Sequence, residues 1–276
     1  MPELPEVETI ARGLRRRLRG RRFDGARVHW PNQLPLNPPG DLARRIASQE
    51  CRTVGRHGKY LVIGLDRDWL LIHLKMSGRL VIAPPGTPPE PHAHLVLVLA
   101  GGDELRLVDP RKFGRVYLVA DPGVVLGALG PDALDGALDE GAFRALLSRR
   151  RGRMKPLLLN QGFIAGLGNI YADEALWAAR IHPLAPATDV TGADADGLLA
   201  AIRRVLHQAI AAGGTTLADG GYLGLDGRPG RMAPRLKVYR RTGARCPRCR
   251  SQVQRLVVAG RGTHFCPGCQ APPPES

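Results

Sequence analysis

The hydrophobic residues near the start of the chain recur at the spacing of an α-helix. One face of residues 4–19 carries apolar side chains: Leu4, Val7, Ala11, Leu14 and Leu18. Pro5 suits the first turn of a helix, and Gly20 is a stop signal. This pattern predicts a helix over residues 4–19, with Pro2 and Glu3 just ahead of it.

Between residues 22 and 120 the pattern changes to short aliphatic segments separated by Gly, Pro and Asp. These segments are YLVIGLD, WLLIHLKMSGRLVIA, HLVLVLA, ELRLVD and RVYLVA. They have the length and composition of strands, while LAGGDEL resembles a hairpin turn and PPGTPPEP a surface loop. The pattern predicts an antiparallel β-sandwich or barrel, in an N-terminal domain over residues 1–120.

The following segment, residues 121–141, is rich in Gly, Pro and Asp and is predicted to be a linker. Helical patterns come next, in FRALLSRR, residues 154–160, NIYADEALWAAR and GLLAAIRRVLHQAIAAG. They predict a helical domain over residues 142–235. Its last part, residues 213–235, holds seven glycines and little periodicity. Loops of that length inside compact proteins are commonly functional.

Four of the five cysteines form two CxxC pairs with 16 residues between them: Cys246, Cys249, Cys266 and Cys269. This spacing matches a zinc site in which four thiolates form a tetrahedron. Disulfides are the alternative in an oxidising compartment, and a redox motif would need a βαβ context. One structural Zn²⁺ is therefore predicted, in a zinc ribbon over residues 236–276. Cys51 is expected to be a small core residue.

The segment between the two CxxC pairs reads as a hairpin. VQRLVV and THF have the composition of two strands, and AGRGT forms the tip. Arg261 would then lie at the end of a projecting hairpin, where it suits a phosphate contact. An idle turn arginine is the alternative.

Charge adds a partner class to this picture. The formal net charge is +15 and the basic residues are spread along the whole chain. Such an excess indicates a polyanionic partner, most often nucleic acid, whereas solubility or a basic tail are the weaker explanations. No apolar run reaches the ~18 residues of a membrane span, and no signal peptide is apparent. A cytoplasmic protein without membrane contact is expected.

A glycine-rich segment ahead of a predicted helix resembles an anion site. Gly162, Gly166 and Gly168 free the backbone in NQGFIAGLGNIYADEAL, and Asn169 could cap a helix beginning at Ile170. Exposed amides at a helix start bind phosphate.

Taken together, these motifs resemble those of the bacterial formamidopyrimidine-DNA glycosylases over essentially the whole chain. The motifs are PELPEVET (2–9), GKYL (58–61), HLKMSG (73–78), DPRKFG (109–114), KP (155–156), GLGNIYADEAL (166–176), GGTT (213–216), DGRPG (226–230) and the zinc ribbon. The resemblance implies an α+β fold: an N-terminal helix with an antiparallel β-sandwich, then a helical domain with a helix–two-turn–helix motif and a four-cysteine zinc ribbon hairpin.

The resemblance also implies a reaction. Family members remove 8-oxoguanine and formamidopyrimidines from double-stranded DNA and cleave the strand by β,δ-elimination. Met1 is removed, Pro2 is the nucleophile that forms an iminium, and Glu3 is the general acid/base. The α-amino group suits this role because its pKa lies near 8, well below that of lysine. Glu6 would be a supporting carboxylate, or a first-turn complement to the helix dipole.

Further residues match DNA contacts of the family. Lys59 and Arg261, counted with the catalytic set, are expected to hold phosphates, as are Asn169 and Tyr239. Lys155 is expected near the base pocket or its flanking backbone. A trio fills the hole left by the extruded base: Met76, Arg111 and Phe113. Arg111 would read the opposite base, expected to be cytosine.

Some assignments stay open in the sequence. The loop over residues 217–224 corresponds to the segment that closes over the lesion, but its glycine-rich text identifies no base-reading residue. Lys75 could contact DNA or reach solvent, and His73 reads as structural. The alternatives are an endonuclease VIII-type glycosylase for oxidised pyrimidines and a non-catalytic zinc-ribbon DNA-binding protein. Four cysteine ligands disfavour a zinc hydrolase. A monomer is expected.

Overall fold

The computed structural model describes residues 1–218 and 220–273. Residue 219, inside the predicted 213–235 loop, and residues 274–276, at the end of the predicted zinc module, lie outside the described residues. The chain forms two compact units: Met1–Ala128 with Ile210–Ala233, and Leu129–Ala209 with Pro234–Ser276. Most of the 213–235 segment therefore belongs to the first unit. The domain boundaries read from the sequence stay a prediction.

The predicted N-terminal helix is confirmed as α1, Leu4–Leu18. Its five predicted apolar positions are all buried, and Ile10 joins them. Glu3 is the N-cap residue and Pro5 lies in the first turn. Gly20 ends the helix with φ +81°, a conformation that glycine adopts without strain.

Two antiparallel four-stranded sheets follow α1 in the first unit. Their strands are β1 (Phe23–Val28), β2 (Thr53–His57), β3 (Tyr60–Gly64), β4 (Trp69–His73), β5 (Arg79–Ala83), β6 (Ala93–Leu99), β7 (Glu104–Val108) and β8 (Arg115–Val119). The strand orders are β1-β6-β7-β5 and β2-β3-β4-β8. Inward residues of both sheets and of α1 share one hydrophobic core, so the predicted sandwich is confirmed.

Three elements of the first unit were not predicted from the sequence. The helix α2, Pro39–Ile46, buries only Leu42 and Ile46 within the segment read as strands. Eight residues give too few turns for a clear helical period. The strands β1 and β2 carry few apolar residues in FDGARV and TVGRH, which hides their alternation.

The remaining helices lie after residue 122. They are α3 (Gly123–Leu126), α4 (Glu140–Ser148), α5 (Met154–Leu159), α6 (Asn169–Ala179) and α7 (Gly192–Ala211). Single 3₁₀ turns lie at Ala187–Asp189 and Ala233–Arg235, and earlier in the chain at Pro31–Gln33. The four predicted helical segments correspond to α4 to α7. The Asp139 side chain caps α4 by accepting from the Ala142 amide at 2.7 Å. Within the described residues, no helix combines the length and apolarity that a membrane crossing requires.

The predicted ribbon hairpin is also present. Its strands are β9 (Gln254–Val258) and β10 (Arg261–Phe265), paired antiparallel. Ala259 and Gly260 connect them with φ +47° and +72°, as a two-residue hairpin turn requires. Arg261 therefore begins β10 directly after the tip.

Candidate functional site

The start of the chain is ordered and buried. Pro2 is buried, and only 2% of Glu3 is exposed. The Glu6 carboxylate accepts a hydrogen bond from the Glu3 amide at 2.8 Å. This bond fixes the backbone next to Pro2, whereas Met1 is 44% exposed. The first residues of α1 therefore present a rigid frame instead of a frayed end.

Glu6 also holds the base of the glycine-rich segment 213–235. Its second oxygen accepts from the Thr215 amide at 2.7 Å. Gly214, with φ +88°, passes so close that a Cβ there would lie 2.9 Å from the same carboxylate. Burial and the charge of Glu6 raise the pKa of Tyr222, whose hydroxyl donates to the Gly213 carbonyl. Glu6 therefore joins the start of α1 to this segment, beyond a complement to the helix dipole.

Lys59 lies in the turn that joins β2 to β3. Gly58 precedes it with φ +54°, so glycine occupies the first position of a tight hairpin turn. Lys59 is 7% exposed. Burial is the main cause that lowers the pKa of His73 to about 3, and the positive charges of Lys75 and Lys59 act in the same direction.

A neutral imidazole at His73 explains its contacts. Its Nδ1 accepts from the Lys75 amide at 2.9 Å, and its ring meets the ring of Tyr60 edge-on at 4.6 Å. Its proton therefore lies on Nε2. These contacts agree with a structural role for His73. The backbone of Lys75 adopts φ +53°. Burial lowers the pKa of its ammonium, and the positive charge of Arg115 lowers it further.

The predicted trio lies on two neighbouring loops of the first unit. Met76 is 39% and Phe113 45% exposed. The exposed Arg111 guanidinium lies 4.9 Å from the centroid of the Phe113 ring. These side chains form an exposed apolar and cationic surface suited to contact with bases.

Asp109 ties the two loops together. It is fully buried, and its carboxylate accepts from the Ser77 hydroxyl at 2.5 Å and from the Gly114 amide at 2.6 Å. Ser77 neighbours Met76, and Gly114 neighbours Phe113. No role was predicted from the sequence for Asp109 of the DPRKFG motif. An acidic residue directly before Pro at the end of a strand is nevertheless a signal for a turn.

In the second unit, Lys155 does not reach the surface. Its side chain is fully buried and forms an ion pair with the fully buried carboxylate of Asp173. The Nζ atom also lies 3.4 Å from the Asn169 carbonyl. The other oxygen of Asp173 accepts from the His264 amide at 2.9 Å. The ammonium is enclosed by protein in this structure, and the expected place of Lys155 near the base pocket or its flanking backbone stays a prediction.

Asn169 does not cap its helix. The helix α6 begins at Asn169 itself, with Gly168 as the N-cap residue and no side-chain cap. The Asn169 amide instead donates to the Gly262 carbonyl of the ribbon at 3.0 Å. Its buried Oδ1 has no hydrogen-bond partner among the described residues. The sequence alone could not predict the hydrogen bond between Asn169 and Gly262, because the two residues are 93 positions apart.

The ribbon presents the remaining predicted contacts. Arg261 is exposed and forms no ion pair within the described part of the chain. Tyr239 is half-buried, with its ring edge-on to that of His264 at 5.1 Å. The Glu174 carboxylate accepts from the amide of Tyr239 at 2.9 Å and from those of the two preceding residues. α6 therefore fixes both Tyr239 and the hairpin that carries Arg261.

The four predicted cysteines come together, with their sulfurs within 4.8 Å of one another. A tetrahedral zinc site with Zn–S bonds of about 2.3 Å separates its sulfurs by about 3.8 Å, so the set fits Zn²⁺. The sulfurs of Cys246 and Cys269 are 3.8 Å apart. The Trp177 indole donates to the sulfur of Cys246 at 3.4 Å, which links α6 to the cluster. One structural zinc is bound here, and four thiolates leave no open position for catalysis.

Sequence reasoning overlooked the acidic pair on α6. Asp173 and Glu174 are 1% and 2% exposed. Two adjacent acids inside the apolar run IYADEALW were the available signal, because buried carboxylates require partners. Gln270 was also missed, and it binds the Cys266 amide and the Ile181 carbonyl, at 2.8 Å each.

Comparisons with known proteins agree with this arrangement. Three family models match: the formamidopyrimidine-DNA glycosylase N-terminal domain over residues 1–116, the H2TH domain of the same enzyme over 129–220, and a zinc finger found in FPG and IleRS over 243–272. A formamidopyrimidine-DNA glycosylase from Chloroflexus aurantiacus is 46% identical, with 98% of each chain covered. One from Protochlamydia amoebophila is 41% identical, covering 98% of this chain and 99% of that protein.

Solved structures are similar as well. A complex between a Lactococcus lactis FPG mutant and a Fapy-dG containing DNA has a TM-score of 0.90 and 36% identity, covering 98% of this chain and 100% of that one. MutM in complex with carbocyclic 8-oxo-G containing DNA has a TM-score of 0.88 and 36% identity at the same coverage. Because three family models match most of the chain and relatives more than 40% identical cover 98% of it, the chain belongs to the formamidopyrimidine-DNA glycosylase family.

Proposed function

We propose that this DNA glycosylase removes 8-oxoguanine and formamidopyrimidines from duplex DNA and then cleaves the strand with Pro2 as its nucleophile. The observation that carries the proposal is the ordered start of the chain. Pro2 and Glu3 are buried, and Glu6 holds the Glu3 backbone. A non-catalytic DNA-binding protein has no need for such a frame at its terminus. Similar proteins have been solved with Fapy-dG and 8-oxo-G containing DNA, which supports this choice of lesions.

The chemistry begins once Met1 is removed. Free α-amino groups ordinarily have a pKa near 8, so a usable fraction of such an amine is neutral at cellular pH. The neutral amine of Pro2 attacks C1′ of the damaged nucleotide, and the bond from C1′ to the base breaks. Glu3 protonates the ring oxygen of the sugar as the ring opens. The Pro2 nitrogen loses its proton, which the departing base takes up, and the product is an iminium that joins this nitrogen to C1′.

Strand cleavage follows from the charge of this iminium. The cation acidifies C2′, which loses a proton, and the 3′ phosphate leaves with the electron pair. A second proton loss, from C4′, expels the 5′ phosphate. Hydrolysis then returns the amine of Pro2 and releases the sugar fragment. A one-nucleotide gap flanked by phosphates remains, and the four zinc-bound thiolates take no part in these steps.

Each unit would supply its own contacts to the DNA. Lys59, Asn169, Tyr239 and Arg261 would hold phosphates, as their cationic or donor groups allow. The damaged base must leave the stack to be attacked. The exposed side chains of Met76, Arg111 and Phe113 would then fill the hole, with Arg111 reading a cytosine opposite the lesion. A monomer suffices for this arrangement.

Product analysis on a defined duplex tests the proposal. A duplex with 8-oxoguanine opposite cytosine should yield the free base and two phosphate-terminated fragments. An intact strand with an abasic site would remove the lyase step, and a preference for thymine glycol over 8-oxoguanine would favour the endonuclease VIII reading. Mass spectrometry of the same preparation should show that Met1 is absent, since a retained Met1 blocks the proposed nucleophile.

A further inference from the structure

The strand β5, Arg79–Ala83, forms one open edge of the first unit. It is the last strand in the order β1-β6-β7-β5, and within the described residues it pairs with β7 alone. An edge strand presents a row of unpaired N–H and C=O groups. β5 therefore has one side available to another chain.

A cavity of about 820 Å³ runs along this open edge. Four consecutive residues of β5 line it: Arg79, Leu80, Val81 and Ile82. Successive side chains of a strand point to opposite faces, so contact with all four is made by the edge of the strand and not by one face. The cavity thus lies where an added strand would lie, and its volume falls in the range of ~300–1,000 Å³ seen for ligand sites.

The opposite wall is formed by α1 and by the segment 223–227. Thr9 and Gly13 are the small residues on this side of the helix. Leu225 packs on α1 so closely that a Cβ at Gly13 would lie 3.1 Å from its Cδ2 atom. The wall is therefore packed, and together with β5 it makes a groove, here called the β5 groove.

The charged side chains that line the β5 groove favour an acidic ligand. Three exposed arginines line it and form no ion pair within the described residues: Arg16, Arg17 and Arg79. Its two carboxylates are already paired, Asp103 with Arg21 at 2.6 Å and Asp226 with Arg228 at 3.5 Å. The groove therefore combines an apolar lining with uncompensated positive charge.

We propose that the β5 groove binds an extended acidic peptide segment of a partner protein, which pairs with β5 as an additional strand. Main-chain hydrogen bonds to β5 would supply affinity, and carboxylates on the peptide would pair with Arg16, Arg17 and Arg79. Charged side chains on an edge strand protect it from unwanted pairing, which accounts for Arg79. Two further arginines on α1, across the groove from β5, exceed that need.

The lining favours a peptide over nucleic acid. Among the described residues, no aromatic ring lines the groove, whereas single strands of DNA or RNA are usually held by bases stacked on aromatic side chains. The alternating donors and acceptors of β5 match another peptide main chain.

The test uses full-length protein and a fluorescein-labelled peptide of about seven residues that alternates Glu or Asp with Val or Ile, enough to span β5 at ~3.3 Å per residue. Two further versions carry backbone N-methyl groups on one or the other set of alternate residues. Only one edge of the peptide can pair with β5, so one version should bind about tenfold or more weakly and the other almost normally. Equal binding of both versions, or equal loss, overturns strand addition.

Charge variants complete the test. The double variant Arg16→Glu, Arg79→Glu should weaken peptide binding by about tenfold or more. The control Arg19→Glu, Arg44→Glu changes the net charge equally at exposed positions outside the groove and should bind like the wild type. Equal losses in both variants would mean attraction by net charge alone. Displacement of the peptide by an oligo(dT) strand that the first variant no longer binds would make the groove a nucleic-acid site, and the proposal would be wrong.

Discussion

The ammonium of Lys155 and the carboxylate of Asp173 form an ion pair that is fully buried inside the second unit. The other oxygen of Asp173 holds the His264 amide of the zinc ribbon at 2.9 Å. Lys155, which the sequence resemblance places among the DNA-binding residues, thus has a protein partner in this structure. It neutralises the carboxylate that joins α6 to the hairpin carrying Arg261.

Removal of Lys155 tests this positioning role. Lys155→Met removes the ammonium paired with the buried Asp173 carboxylate, so the free energy of unfolding should fall by about 3–5 kcal/mol. The double variant Lys155→Met, Asp173→Asn should recover part of the loss, because no uncompensated charge remains. Urea unfolding measures both variants, with Lys237→Met as the control. Unchanged stability of Lys155→Met, with a smaller salt dependence of DNA affinity, would contradict the assignment and favour a direct phosphate contact.

Substitutions at Arg261 and at the zinc site should both weaken DNA binding but differ in their effect on zinc content. Arg261→Ala should weaken binding to many DNA sequences alike and lower the salt slope of affinity by about one, while one zinc per chain is retained. Cys266→Ser should weaken binding as well, but with loss of zinc, because the ribbon no longer holds Arg261 in place. Metal analysis and binding titrations decide the matter. Full DNA affinity in zinc-free protein would contradict this role of the ribbon.

Asp109 should matter for the exposed trio without touching DNA. Asp109→Ala removes the acceptor for Ser77 and Gly114, so the loops of Met76 and Phe113 should lose their fixed geometry. We expect excision in single-turnover experiments to slow by about tenfold or more, since small misplacements are costly. Asp121→Ala, at an exposed turn of the same unit, is the control. Wild-type rates for Asp109→Ala would show that these loops hold their shape without it.

The buried neutral His73 predicts a pH dependence of stability. Its pKa is lowered to about 3 in the folded protein, against about 6.5 when unfolded. The unfolded chain therefore binds the extra proton between these values, and stability is fully present above pH ~6.5 and falls as the pH drops, by up to about 1.4 kcal/mol per pH unit. His73→Asn keeps an acceptor near Nδ1 and should remove this part of the slope. Identical pH profiles in urea unfolding would contradict a neutral buried His73.

Periodicity and spacing were sufficient for much of the fold. The apolar stripe of α1 and the spacing of Cys246 and Cys269 depend on neighbours in sequence, so both could be predicted. The helix α2 could not, since eight residues with two buried positions leave no clear period. The protein partners of Lys155 and Asn169 could not be predicted for a different reason. Their partners, Asp173 and Gly262, lie 18 and 93 residues away, and only folding shows that these groups meet.

Pro2 as the nucleophile is the central claim, and borohydride trapping tests it most directly. Attack by the Pro2 nitrogen must produce an iminium between base loss and strand release, and reduction should fix protein to DNA as a stable amine. Peptide mapping of the trapped complex with 8-oxoguanine DNA should place the bond on Pro2, and protein that retains Met1 should give no trapped complex. A bond on Lys59 or Lys155 with Pro2 unmodified, or full trapping by the Met1 form, would contradict the account.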